Sequence, residues 1–182
     1  MIIFSYVLYA AGLVAALAAA TAAVVYDIRG FRIPNRLSLV ILGAVAVAAF
    51  GIWVAPTGPA PTFVPVSHLI SGGVVFVLTL FLFGARMLGA GDAKLLSVLA
   101  LWFPVLNLAS FIFLMSLLGG VVGVLTLLMK RFQPFKNPPA GSWMQSAQAG
   151  DRRVPYGIAI GLAFWGAVYL SGYFSVLKFI NP

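Results

Sequence analysis

Two residue types that build many catalytic and metal sites are almost missing from this chain. Cysteine is absent, and His68 is the only histidine. A chain without cysteine has no disulfide, no thiol nucleophile, no Cys-ligated zinc and no iron–sulfur cluster, and one histidine cannot build a multi-histidine metal site. We therefore expect a function that uses no metal and no cofactor.

Acidic residues are also scarce. The 182 residues include three of them, Asp27, Asp92 and Asp151, against 11 lysines and arginines. The chain is 63% hydrophobic and 8% charged, whereas a soluble domain is about 45–50% apolar and about 25% charged. This composition predicts a polytopic membrane protein with a single domain, residues 1–182. The basic residues lie in short connectors, which is typical of topology signals, so we expect no nucleic-acid partner.

Six apolar runs predict the membrane helices. Five are long enough to cross a hydrocarbon core of about 30 Å, whereas the fourth is short and is followed by Pro104, which ends or kinks a helix. No basic residue precedes Arg29, so we interpret the first run as a retained helix and not as a signal peptide. The runs are approximately Ile3 to Tyr26, Leu37 to Ala55, Val66 to Ala85, Ala93 to Phe103, Val105 to Met129, and Pro155 to Phe179.

The basic residues decide between six spans and an alternative of five, in which the fourth and fifth runs join around Pro104. With five spans, the basic loop at 130–153 would lie opposite the other basic loops. Because basic residues concentrate on the cytoplasmic side, we predict an all-α polytopic protein of the cytoplasmic (inner) membrane, with six transmembrane helices, a short fourth helix and an outside N-terminus. Only Lys178 then lies outside, and the cytoplasmic residues are Arg29, Arg32, Arg36, Arg86, Lys94, Lys130, Arg131, Lys136, Arg152 and Arg153.

Two connectors are rich in proline and glycine. The uncharged segment at 56–66 is expected outside, and the long polar loop from about Phe132 to Arg153 is expected to stay irregular on the cytoplasmic side.

Asp27 and Asp92 fall at the same membrane depth on the cytoplasmic side in this topology. An acid beside hydrocarbon costs roughly 2.5–3.5 kcal/mol at a helix centre, so two of them in a chain nearly empty of acids indicate a site. The alternative is that each acid simply pairs with a nearby basic residue, such as Arg29, Arg32 or Lys94.

The two carboxyl groups could form a peptidase dyad. One ionised carboxyl takes a proton from a water, the other donates a proton to the peptide carbonyl, and the pair shares one proton because both cannot ionise easily. Asp92 lies near the N-terminus of its own helix and Asp27 near the C-terminus of its own. The helix dipoles therefore predict Asp92 as the base and Asp27 as the acid.

Several neighbouring residues are candidates for supporting roles. Gly89 and Gly91 lie beside the second acid. Glycine permits unusual backbone angles and the close approach of a substrate main chain. The alternative is that the two glycines simply form a turn before a helix. Pro34 is interpreted as a turn residue and Asn35 as a helix cap.

Arg29, like Arg32 and Arg36, is mainly a topology determinant, and the alternative is that one of these arginines meets an acid on a substrate. Lys94, two residues after the second acid, is a further candidate near the substrate.

The start of the last helix supplies two more candidates. Tyr156 could point at the dyad, with an interfacial aromatic anchor as the alternative, and Gly157 follows it. Asp151 is expected to be a solvated loop charge, and His68 is expected on the far side of the membrane.

Three segments resemble the type IV prepilin peptidases, which are GxGD aspartic proteases of bacterial and archaeal membranes. They occur in that family's order and extend over nearly the whole chain. The segments are Asp27-Ile28-Arg29-Gly30-Phe31-Arg32-Ile33-Pro34-Asn35, Gly89-Ala90-Gly91-Asp92-Ala93-Lys94 and Pro155-Tyr156-Gly157.

The resemblance implies an aspartic endopeptidase with Asp27 and Asp92 as its catalytic acids. Such an enzyme removes a short basic leader from a prepilin at the cytoplasmic face, just before the pilin's hydrophobic helix. The long members carry a cysteine-containing, zinc-type insert and also methylate the new N-terminus. This chain has no cysteine and a short first cytoplasmic loop, so it is similar to the short TadV/CpaA-type members that serve Flp-type pili.

Two other functions are compatible with the composition. A proton-coupled transporter would use the two acids as a relay, but it predicts acids near the bilayer midplane. A non-catalytic scaffold of a pilus or secretion machine predicts that neither acid is needed for pilus assembly.

Overall fold

The computed structural model describes residues 2–54, 65–151 and 153–173, and these residues form helices and connectors without a strand. The helices are α1 (Ile2–Gly30), α2 (Asn35–Val54), α3 (Pro65–Gly84), α4 (Ala90–Ala100), α5 (Val105–Phe132), α6 (Trp143–Gln148) and α7 (Tyr156–Leu170).

Four of these helices are long and apolar enough to cross a membrane: α1, α2, α3 and α5. Helix α4 has 11 residues, which at a rise of about 1.5 Å per residue is about 16 Å and too short to span. Helix α7 is apolar and has 15 described residues. The prediction of an all-helical polytopic membrane protein is confirmed. Six spans and an outside N-terminus stay predictions, and the predicted connector at 56–66 lies outside the described residues up to position 64.

Helix α1 lies at the centre of the bundle, between α2 and α7. Its small residues allow this, because Ala16, Ala20 and Ala23 are completely buried. Helix α7 approaches through Gly161, where a methyl group would lie 3.0 Å from the main-chain oxygen of Ala20. This close packing brings the beginning of α7 to the end of α1.

Aromatic rings join the other ends of the helices. Phe103, which follows α4, stacks on Phe111 of α5 with ring centroids 5.0 Å apart and meets Phe164 of α7 edge-on at 5.8 Å. All three side chains are fully buried. Pro104 caps the start of α5 in an extended conformation, which confirms that the fourth and fifth runs are separate helices. The cluster therefore ties α4 to both α5 and α7.

The prediction that the 132–153 loop stays irregular is wrong for residues 143–148, which form α6. Ser142 caps this helix by accepting a hydrogen bond from the N–H of Gln145 at 3.3 Å. Trp143 is buried against α5, where its Nε1 donates to Oγ1 of Thr126 at 3.1 Å. A serine followed three residues later by glutamine is a known start signal for a helix, so the sequence did contain a sign of α6.

Candidate active site

Asp27 lies in the last turn of α1, with its side chain almost completely buried at 3% exposure. Its Oδ2 accepts a hydrogen bond of 2.7 Å from the main-chain N–H of Gly157, in the first turn of α7. The two residues are 130 positions apart in sequence. The packing of α7 against α1 thus gives the first acid a main-chain partner.

Asp92 lies in the first turn of α4, after Gly89, which caps the helix in an extended conformation. Its side chain is half-buried. The Oδ1 atom is buried and has no hydrogen-bond partner among the described residues. Because a buried carboxyl oxygen without a partner is costly, such an atom commonly marks a site where another group binds.

The two carboxyl groups line one cleft. The cleft has a volume of about 890 Å³ and lies between the end of α1, the α3–α4 connector and the start of α7. The structure therefore brings together the two acids that the sequence singled out. The lining residues are Asp27, Phe31, Phe83, Gly84, Arg86, Met87, Leu88, Gly89, Asp92, Arg153, Val154 and Tyr156.

The surroundings of Asp92 favour its protonated form. Helix α4 is not one of the four candidate spans. The side chain of Asp92 is half-buried, with its Oδ1 atom shielded from water. Burial raises the pKa of Asp92 from its ordinary 3.8 to about 7, and the neighbouring Asp27 carboxyl raises it in the same direction. The N–H groups of Gly89 and Gly157 lower this pKa but do not outweigh the burial. A carboxyl group of this kind can donate a proton near neutral pH.

The helix dipoles do not separate the roles of the two acids in the folded structure. The prediction from the sequence took into account only the helix to which each acid belongs. Asp27 ends α1, but its carboxyl also lies at the N-terminus of α7 and accepts an N–H bond there. Both carboxyls therefore experience a helix N-terminus, so the helix dipoles do not distinguish them.

Three glycines at this site leave little room for a side chain. A methyl group on Gly157 would lie 2.9 Å from Oδ2 of Asp27, and one on Gly89 would lie 2.8 Å from Oδ2 of Asp92. A methyl group on Gly91 would lie 3.2 Å from Cβ of Ile33. Gly89 has an ordinary φ of −70°, so its role rests on the room it leaves for the carboxyl and not on an unusual backbone angle.

Asn35 and Lys94 meet across the site. Asn35 is the first residue of α2, and its Oδ1 accepts a hydrogen bond of 3.2 Å from Nζ of Lys94. The prediction that Asn35 caps its own helix is therefore wrong, because its amide joins the first turn of α2 to that of α4. Pro34 does set the turn before α2, and its carbonyl accepts the N–H of Leu37 at 3.0 Å.

The other candidate residues do not all lie at the cleft. Tyr156 lines the cleft, and its ring also faces Gly119 of α5. Arg29 is exposed, and its side chain has no hydrogen bond or ion pair within the described part of the chain. His68 lies at the opposite end of α3 from the cleft, where its Nδ1 is 2.9 Å from the carbonyl oxygen of Leu101.

Sequence reasoning missed the role of Phe31, Arg86 and Arg153 in the cleft. Arg153 is paired with Asp151 at 2.7 Å and lies over the ring of Phe31 at 4.7 Å, so Asp151 is not simply solvated. Phe31 and Arg86 adopt left-handed backbone angles, with φ of 53° and 59°. Such angles are uncommon for residues with a side chain and cluster at functional sites.

Within the described ranges, no three metal-ligating side chains lie close enough together to hold a metal ion. The chemistry available in the cleft is that of two carboxyl groups, main-chain N–H groups and guanidinium groups. The fold and this site define a class: helical membrane proteins with a pair of carboxyl groups in a cleft at the helix ends.

The chain belongs to the type IV leader peptidase family, whose model matches residues 13–124. The matched segment contains both Asp27 and Asp92, and the resemblance inferred from the sequence is thereby confirmed. Membership makes the chain a peptidase of the membrane at the level of the family. No curated protein and no solved structure matches the chain.

Proposed function

We propose that this protein is an aspartic endopeptidase that removes the leader peptide from type IV, Flp-type prepilins at the cytoplasmic face of the inner membrane. One observation carries the proposal: Asp27 and Asp92 line the same cleft, and they are two of only three acids in the chain. The third, Asp151, is paired with Arg153.

We base the roles of the two acids in this mechanism on their environments. Asp27, held by the N–H of Gly157 at 2.7 Å, is the ionised base. Asp92, whose pKa is raised to about 7, is the protonated acid. A water bound between them would also give the buried Oδ1 of Asp92 a hydrogen-bond donor.

The reaction then needs no group from outside the cleft except water. Asp27 removes a proton from the water while the water oxygen attacks the peptide carbonyl carbon. At the same time, Asp92 donates its proton to the carbonyl oxygen. When the tetrahedral intermediate collapses, the C–N bond breaks and the leaving nitrogen takes the proton from Asp27. The hydroxyl of the intermediate returns a proton to Asp92, so both carboxyls regain their starting states.

The cleft also favours a particular kind of substrate. Its apolar walls, including Phe31, Phe83 and Met87, fit the start of a hydrophobic pilin helix. Arg86 is exposed, and no carboxylate in the described part of the chain pairs with it. We therefore propose that an acidic side chain of the substrate, close to the cleaved bond, binds Arg86.

The membrane arrangement that accompanies this function is six spans with the N-terminus outside. Helix α4 would enter the bilayer partway from the cytoplasmic side. The dyad would then lie where a leader that stays in the cytoplasm joins a pilin helix in the bilayer. The lipid bilayer and prepilins are the partners this arrangement requires.

The test is cleavage of a co-expressed Flp-type prepilin by the wild type and by Asp27→Asn and Asp92→Asn, read as a size shift. Asparagine keeps the shape and removes the proton chemistry, so we expect cleavage to fall by at least about 10³-fold. Asp151→Asn is the matched control for the loss of an acid: it releases Arg153 at the cleft but leaves the dyad intact, so it should cleave far faster than either dyad variant. Cleavage by either dyad variant at the wild-type rate would refute the mechanism, and a proton flux without cleavage would favour a transporter.

A further inference from the structure

The short connector between α1 and α2 places one side chain between the two acid-bearing segments. Ile33 is partly buried. A methyl group on Gly91 would lie 3.2 Å from its Cβ, and a methyl group on Gly157 would lie 2.8 Å from its Cδ1. Ile33 thus lies directly against the main chain of α4 on one side and of α7 on the other.

These two glycines are the immediate supports of the dyad. Gly91 precedes Asp92 in the first turn of α4, and the N–H of Gly157 binds Asp27. Asp92 belongs to α4, and the Asp27 carboxyl is bound by α7, so the space between the first turns of α4 and α7 bears on the separation of the two carboxyl groups. An isoleucine has few rotamers because it is branched at Cβ, so it can act as a stiff spacer.

We propose that Ile33 is a positioning residue that fixes the separation of the two carboxyl groups. Ile33 does not line the cleft and acts through the two glycines. The kinetic part of this proposal rests on the proposed peptidase function, but the contacts themselves can be tested without any activity.

The contacts predict a specific pattern in a double-mutant cycle. Ile33→Val removes Cδ1, which faces Gly157, and keeps Cβ, which faces Gly91. In purified protein in detergent, Gly157→Ala should therefore lower the unfolding temperature less in the Ile33→Val background than in the wild type. Gly91→Ala should lower the unfolding temperature by the same amount in both backgrounds. Equal costs of Gly157→Ala in both backgrounds would overturn the spacer contact.

The kinetic test uses Ile33→Ala, which opens a gap on the Gly157 side. A misplacement of about 1 Å can cost about 10²-fold in rate, and a partial gap should lower kcat at least about tenfold while KM changes less than about twofold. The pH profile of kcat should shift as well, because the separation of the two carboxyl groups changes and the pKa values of two interacting acids depend on that separation. Ile33→Val should fall between Ile33→Ala and the wild type.

Ile41→Ala is the matched control, because Ile41 is completely buried in α2 and does not line the cleft. It should lower stability but leave kcat per folded molecule and the pH profile unchanged. If Ile33→Ala behaves in the same way, Ile33 is an ordinary packing residue and the proposal is wrong. If the wild type cleaves no prepilin, the peptidase proposal fails, and the unfolding cycle still decides whether Ile33 is the spacer.

Discussion

Replacing Gly157 with alanine tests the core of the site with a single methyl group. The N–H of Gly157 donates to Oδ2 of Asp27 at 2.7 Å. The added carbon would lie 2.9 Å from that same oxygen, 3.0 Å from Cγ of Asp27 and 2.8 Å from Cδ1 of Ile33. Because van der Waals contacts to carbon are normally about 3.5–4.0 Å, both the carboxyl and the isoleucine must move.

Two independent estimates give the size of the loss of activity expected for Gly157→Ala. A hydrogen bond to a charged group contributes about 1.5–3 kcal/mol. Misplacing a reacting group by about 1 Å costs about 10²-fold in rate, which is about 2.7 kcal/mol at about 1.36 kcal/mol per tenfold. We therefore expect Gly157→Ala to lower kcat by about 10²-fold with a smaller change in KM.

The assay is cleavage of purified prepilin at several substrate concentrations, with the amount of folded enzyme measured in parallel. Gly120→Ala is the matched control, because Gly120 is also helical and a methyl group there would meet nothing within 4 Å. The control should retain kcat within about twofold. A Gly157→Ala enzyme with normal kcat would show that the Asp27 geometry described here is not the one used in catalysis.

Three further predictions follow from other contacts. The pKa of Asp92 is raised from 3.8 to about 7, so the folded chain binds this proton more tightly than the unfolded chain. The unfolding temperature in detergent should therefore fall as pH rises from about 4 to 7. Asp92→Asn should remove that part of the pH dependence. Thr126→Val should lower the free energy of unfolding by about 1–3 kcal/mol, because the buried N–H of Trp143 loses its acceptor; the loss should shrink when Trp143→Phe is already present. Lys94→Met breaks only an exposed hydrogen bond to Asn35, so prepilin cleavage should stay within about twofold, and a tenfold loss would show that Lys94 acts on the substrate directly.

The sequence determined the class of protein and the identity of the two acids. Both conclusions depend on quantities that are local in the chain. A membrane helix needs about 20 apolar residues whatever it packs against, and two acids at the ends of such runs stand out in a chain with only three acids. The break at Pro104 and the family were also readable, because each depends on residue type and order.

Local signals were less decisive in the polar loop. The start of α6 was encoded by Ser142 and Gln145, but a six-residue helix is not stable by its own hydrogen bonds. It forms because Trp143 is buried against α5. The composition of the loop, rich in proline and glycine, pointed the other way.

Only the tertiary structure decided how the two acids differ and what holds them. The N–H that binds Asp27 comes from Gly157, 130 residues away, and Ile33 contacts glycines of two different helices. The helix dipoles could not distinguish the two acids from the sequence, because Asp27 also lies at the N-terminus of a second helix, α7. Contacts of this kind depend on how closely whole helices approach one another, which is the summed result of many weak packing interactions and is not contained in any single segment.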